Sequence, residues 1–235
     1  MLDEFKLVAY QEHNKARLAH LASLGLPLHH RRVLEVGSGP GDHTGFYIER
    51  DCTVFAVDAR AACLHALRER FPQVETRCAD LNEPDALDDL TGFEVAHAYG
   101  VLYHLHNPAT FLAAVSRATQ LLILETCVSH GTDLSINLVD EPSEAFSQAA
   151  SGRGCRPTRR WVFEEVAKHF PHVYQTRTQP AHEEFPVHWN VPSPHVLSRI
   201  VLVGSQDKLS EELLSPVLLE TQTRYTDQKC LQNVR

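Results

Sequence analysis

Apolar residues fall into short blocks along the chain, and their spacing alternates between two periods. Val33, Leu34 and Val36 make a compact apolar run, followed by further runs at 53–57, 74–79, 93–99 and 121–124. Short apolar runs bounded by turn residues read as strands buried on both faces of a sheet. Between them lie stretches with helical spacing. The segment 44–50 follows the first run, and 61–71 follows the second and is stopped by Pro72. Asn107 and Pro108 look like a helix cap with proline at the first helical position. This regular alternation predicts an α/β fold with a mostly parallel sheet.

The two ends of the chain read differently. Within residues 1–30 the later part, 14–24, has helical spacing with Leu18, Leu21 and Leu24, and Gly25 and Pro27 close it. Periodicity fails from 129 to 158, a stretch of glycines, serines, prolines and arginines far longer than an ordinary connection. Thr158 is placed to cap a helix reaching Phe170, and the runs 172–176 and 197–204 supply an antiparallel pair at the sheet edge. The expected architecture is a Rossmann-like, seven-stranded, mostly parallel sheet. It is a single domain over 1–204 with an insert at 129–158 after the fifth strand. Residues 205–235 form a polar tail with at most one short helix near 210–219.

Composition narrows the function. The chain has 235 residues, 43% of them hydrophobic, enough for one sizeable core. No apolar run reaches the roughly 20 residues of a membrane span. Six cysteines are scattered without a C-x-x-C pair, as in reduced cytosolic proteins, so a cytoplasmic location is expected. A formal net charge of −8 weighs against extended phosphate-backbone contacts.

The first strand ends in Glu35-Val-Gly37-Ser-Gly39-Pro-Gly41-Asp42. A strand running into a glycine turn and a helix builds a nucleotide crevice. The third glycine comes one residue earlier than in the dinucleotide pattern G-x-G-x-x-G, whose last position is Asp42 here. Carboxylates beside the loop repel a pyrophosphate but suit an ammonium and a sulfonium. Glu35, Gly37, Gly39 and Gly41 match E-x-G-x-G-x-G, and the sequence resembles the class I S-adenosylmethionine-dependent methyltransferases. NAD is the rival ligand.

Two further acidic residues close successive strands. Asp58 falls 21 residues after Gly37, at the interval of a carboxylate that accepts from ribose hydroxyls. The resemblance implies that Asp80 accepts from the adenine amino group, within Cys78-Ala79-Asp80-Leu81. Glu35, Gly37, Gly39, Gly41, Asp58, Asp80, Leu81 and Tyr99 are therefore the expected S-adenosylmethionine contacts. The resemblance also implies that the leading helix lies over the cofactor; a helix that only packs on the sheet fits the residues equally well.

Methyl transfer needs alignment, exclusion of water and, for some acceptors, a base. The loop after the fourth strand offers Tyr99, Tyr103, His104 and His106. His104 is the expected base because imidazole titrates near neutrality, with Tyr103 beside it. Arg153 and Arg156, in the insert near Arg159 and Arg160, suit an anionic acceptor group. A solvated loop end accounts for them equally well. His182, Glu183, Glu184 and His188 match no metal-binding spacing, so no metal is expected.

Gly100-Val-Leu-Tyr-His, a proline shortly after, Leu124-Glu-Thr and Gly131 are similar to the tRNA wobble-uridine carboxymethyltransferases, over residues 100–131. Acidic charge and the short stretch before the first strand weigh against a nucleic-acid partner. The expected activity is methyl transfer to a small anionic metabolite, with oxygen as the favoured acceptor atom. The alternatives are tRNA modification and a catalytically silent S-adenosylmethionine-binding subunit.

Overall fold

A computed structural model describes residues 2–190 and 197–226. A 3-10 turn at Asp3–Lys6 leads into α1 (Val8–Ser23), which begins earlier than the apolar spacing indicates. Then come β1 (Arg32–Val36), α2 (Thr44–Ile48), β2 (Thr53–Asp58), α3 (Ala61–Arg70), β3 (Glu75–Cys78) and β4 (Phe93–Tyr99). A short turn at Leu102–His104 precedes α4 (Pro108–Ala118), which runs directly into β5 (Thr119–Val128).

The insert holds a small hairpin of β6 (Leu138–Asp140) and β7 (Arg153–Cys155). Beyond it are α5 (Arg159–Ala167), β8 (His172–Thr176), β9 (Thr178–Gln179), β10 (Ser198–Ser205), β11 (Leu214–Ser215) and β12 (Thr223–Arg224).

Eight strands form the main sheet in the order β11-β8-β10-β5-β4-β1-β2-β3. β1, β2, β3, β4 and β5 run parallel, and β10 is antiparallel to both its neighbours, β5 and β8. The seven expected strands are all present. The eighth is β11, where a helix was expected near 210–219. Leu214 is buried, and its short backbone pairing with β8 needs no extended apolar pattern. β12 pairs with β9, so the segment after 204 folds back onto the sheet edge. The rest of the expected tail, 227–235 with Cys230, lies outside the described residues.

The helices pack for different reasons. α4 buries Phe111, Leu112, Ala114, Val115 and Ala118, one apolar stripe at helical spacing. Asn107 precedes it, but its side chain makes no cap bond and donates instead to Asn82 O. α5 has the expected cap, Trp161 N–H donating to Thr158 Oγ1 at 3.3 Å. α1 is unusual: the side chains it buries are His13, Asn14, Arg17, His20 and Leu21.

Candidate functional site

A cavity of about 440 Å³ lies at the carboxyl ends of β1, β2 and β4. This is the edge where parallel sheets bind ligands, because loops leave the strands there in opposite directions. Gly37, Ser38, Gly39 and Pro40 form one wall, and Asp58, Asp80, Leu81 and Asn82 another. Gly37 has φ +68°, and a Cβ there would sit 2.5 Å from the Val101 side chain, so no other residue fits the turn. Asp58 fixes the loop by accepting from Gly39 N–H at 2.9 Å and from Arg60 N–H at 2.8 Å. Asp80 Oδ1 accepts from Asn82 N–H and Nδ2, at 2.9 and 2.8 Å. Asn82 in turn accepts from His106 N–H at 2.8 Å, which joins the third-strand end to the loop after β4.

Two expected contacts are not in the lining. Glu35 is buried beneath the loop, where Oε2 accepts from Thr44 Oγ1 at 2.6 Å. Burial pushes its carboxyl up to about 8, so it is neutral near pH 7 and offers no charge to a cation. Gly41 instead packs against α3: a Cβ there would meet Leu67 at 2.9 Å. Both residues shape the loop from behind. Gly37, Gly39, Asp58, Asp80, Leu81 and Tyr99 do line the cavity.

Tyr103 and His104 line its far end. His104 Nδ1–H donates to Glu141 Oε2 at 2.5 Å. Burial favours the neutral form of Glu141, but hydrogen bonds from His104, Ala149 N–H and Arg156 outweigh it and bring its carboxyl down to about 2. Burial lowers His104 below its usual range, against the pull of Glu141. The result is a neutral imidazole whose orientation a carboxylate fixes and whose Nε2 lone pair is available. Sequence spacing gave no sign of Glu141, which lies in the irregular insert.

Arg153 and Arg156 do not converge on the cavity. Arg153 is half-exposed and faces Asp140 at 3.8 Å. Arg156 pairs with Glu141 at 2.9 Å and donates to Tyr103 O at 3.1 Å. Neither lines the cavity, while the loop that the hairpin carries turns inward, placing Phe146, Ser147 and Gln148 in the lining. Arg60 holds that loop by donating to the carbonyls of Ser143, Ala145 and Gln148. The insert therefore covers the site.

Besides Arg60, two guanidiniums reach the cavity, Arg17 of α1 and Arg199 of β10. Both donate to the fully buried Glu125, at 2.8 and 2.9 Å. Burial alone would raise Glu125; the two arginines outweigh it and hold the carboxyl below its usual range. Arg199 also donates to Glu184 and, at 3.2 Å, to Tyr103 Oη. Beside them His43 Nδ1 and His97 Nε2 lie 3.0 Å apart, with Tyr47 Oη 2.9 Å from His97 Nδ1. No sequence spacing reveals these partners, because each pair joins distant segments.

His13 of α1 also lies near His182 and Glu184 of the 180–190 loop, in the same lining. The spacing within 182–188 matches no metal motif, and the fold brings a second histidine to this group from the other end of the chain.

Residues 33–122 match the family described as methyltransferase domain. A tRNA U34 carboxymethyltransferase from Azotobacter vinelandii is 34% identical over 135 residues, 52% of this chain and 40% of that protein. A trans-aconitate 2-methyltransferase from Azoarcus sp. is 28% identical over 153 residues, 58% of this chain and 56% of the relative. The chain thus spans about half the length of the curated relatives it matches. Among solved structures, the N-terminal domain of EvdMO1, crystallised in the presence of SAH and D-fucose, superimposes with a TM-score of 0.65. It is 20% identical and covers 85% of this chain and 84% of that one.

Proposed function

We propose that this chain, which carries a class I S-adenosylmethionine-dependent methyltransferase domain, binds S-adenosylmethionine and moves its methyl group to an oxygen of a small hydroxylated molecule. The cofactor fits the glycine wall and the two carboxylates at the ends of β2 and β3. Gly37 and Gly39 leave room for it, Asp58 faces the ribose, and Asp80 with Leu81 faces the adenine. When bound, it supplies an electrophilic methyl carbon on a sulfonium that departs as a neutral thioether.

One observation carries the acceptor assignment: a neutral imidazole, His104, held by a carboxylate at the cavity wall. Such a pair removes a proton from an acceptor as its oxygen bonds to the methyl carbon. The proton goes to His104 Nε2, and the ionised Glu141 stabilises the imidazolium. Glu141 is a positioning residue. Tyr103, tied to Arg199, orients the acceptor.

The acceptor is neutral in this reading. The expected anion-binding pair, Arg153 and Arg156, lies outside the lining; of the guanidiniums inside it, Arg17 and Arg199 are answered by Glu125 and Glu184, and Arg60 is engaged by carbonyls of the insert loop. The neighbour crystallised with D-fucose present supports a hydroxylated acceptor. Tyr99, Arg17 and Arg199 extend the cavity beyond the cofactor walls, which supports an acceptor space and not a silent subunit. tRNA modification is the second reading, favoured by the match to the carboxymethyltransferase.

The test is S-adenosylhomocysteine release by the purified chain, with S-adenosylmethionine and either a panel of small hydroxylated compounds or bulk tRNA. Release with a hydroxylated compound, giving an O-methyl product, is the expected result. Release with tRNA alone overturns the small-molecule reading.

A further inference from the structure

We propose that His13, His182 and Glu184 form a site for a divalent transition-metal ion of the zinc class at the acceptor end of the cavity. One ligand atom from each residue lies within 4.8 Å of the other two. Ligands about 2.0–2.2 Å from a zinc ion sit closer together than that, and rotation of the His182 side chain closes the gap. His182 is not fully buried, so it has room to turn.

A second observation points to a ligand independently of the spacing. His13 is only 7% exposed, yet its Nε2 has no hydrogen-bond partner among the described residues. Leaving a buried imidazole nitrogen unsatisfied is costly, and such a group in a native fold calls for a partner that is not protein. Its ring stacks on that of His182, with centroids 4.5 Å apart. His182 Nδ1 accepts only a long 3.3 Å bond from Glu184 N–H.

Glu184 is oriented for the role. Arg199 occupies its Oε2 and leaves the other oxygen for a cation. Arg199 is itself fixed by Glu125 and Tyr103. Orientation of a ligating carboxylate by an outer hydrogen bond is a common feature of metal sites. Two guanidiniums stand close by, but Glu125, Glu183 and Glu184 outnumber them at this end of the cavity.

Two imidazole nitrogens and one carboxylate oxygen suit zinc or cobalt, and not magnesium or calcium, which favour all-oxygen shells. Three protein ligands leave a coordination position open toward the cavity. A hydroxylated acceptor would fill that position; this last step rests on the proposed methyl transfer, whereas the metal site does not.

The experiment uses the full chain, free of any affinity tag and stripped with chelator. Co²⁺ is titrated while the visible d–d absorption is followed, Zn²⁺ is titrated by calorimetry, and Mg²⁺ serves as a third arm. The proposal expects one saturable equivalent of Co²⁺ or Zn²⁺ and no comparable Mg²⁺ binding. His13→Ala, His182→Ala and Glu184→Gln should each weaken the transition-metal affinity by more than about tenfold. His182 sits in a loop, so His182→Ala decides the matter if the His13 variant fails to fold. S-adenosylhomocysteine affinity, measured on the same preparations, reads the cofactor half separately. Absence of saturable binding to folded wild type, or unchanged binding in His182→Ala, overturns the site.

Discussion

The two halves of the cavity are built on opposite principles. The cofactor half is local: each carboxylate or glycine sits at the end of a strand whose own sequence announces it, and α4 behind that sheet packs through Phe111, Leu112 and Val115. The acceptor half is assembled from α1, the insert, the 180–190 loop and β10. There α1 presents His13, Asn14, Arg17 and His20 to the interior, and it is held by the paired charge of Arg17 with Glu125 as well as by the buried Leu21. Apolar packing tolerates changes that keep volume and pattern, whereas a buried ion pair fails when one partner is removed. A binding scaffold and a specificity surface divide here along that line.

The largest effect that tests this division is on turnover. His104→Ala should lower kcat by about 10²–10⁴-fold, the usual contribution of a general base, measured with the acceptor identified by product release. Because burial holds His104 below its ordinary 6.5, the base form persists into mildly acidic solution and the rate should fall only below about that pH. Glu141 opposes that shift, so Glu141→Gln should move the acid limb lower still while reducing the rate. An acid limb unmoved by Glu141→Gln would separate the two residues.

Next comes the cofactor half. Asp58→Ala should weaken S-adenosylhomocysteine binding by up to about 1.5–3 kcal/mol for a charge-assisted hydrogen bond, read by calorimetry. It should leave the acid limb of the rate where it was. NAD binding by the wild type would remove the assignment of this half altogether.

A smaller effect concerns the strut beneath the loop. Glu35 binds its proton more tightly when folded, with a pKa of about 8 against 4.5 for the free group. Between those values the folded state therefore holds more protons than the unfolded state, and this group's contribution makes stability fall as pH rises. Glu35→Gln should flatten that fall, raising Tm relative to wild type more at pH 8 than at pH 5. A Tm difference that does not depend on pH would mean Glu35 is already ionised. The smallest effect is expected for Arg153→Gln, within about 0.5 kcal/mol of wild-type stability and without change in KM. A raised KM would return Arg153 to the acceptor site.

The same contrast explains what could be read in advance. The runs ending at Val36, Asp58, Tyr99 and Gly204 gave the sheet because a strand buried on both faces is apolar throughout. Gly37, Asp58 and Asp80 were legible because each follows its own strand directly. Glu35 carried the right motif, but its burial, and hence its neutrality, depends on packing that no motif encodes. Charge clustering gives Arg153 and Arg156 no direction: Arg153 faces Asp140, and Arg156 is taken up by Glu141 and the Tyr103 carbonyl behind the lining. Glu141 and Arg199 left no trace, and Glu125 showed only as part of a motif without a role, since a polar residue in a buried pair looks like any surface residue until its partner is found.

Whether the cavity is divided in this way is tested most directly by the calorimetric Kd of His104→Ala for S-adenosylhomocysteine. If His104 serves the acceptor, the affinity stays within a few-fold of wild type while turnover collapses. A loss of affinity as large as that of Asp58→Ala would place His104 in the cofactor wall and contradict the division.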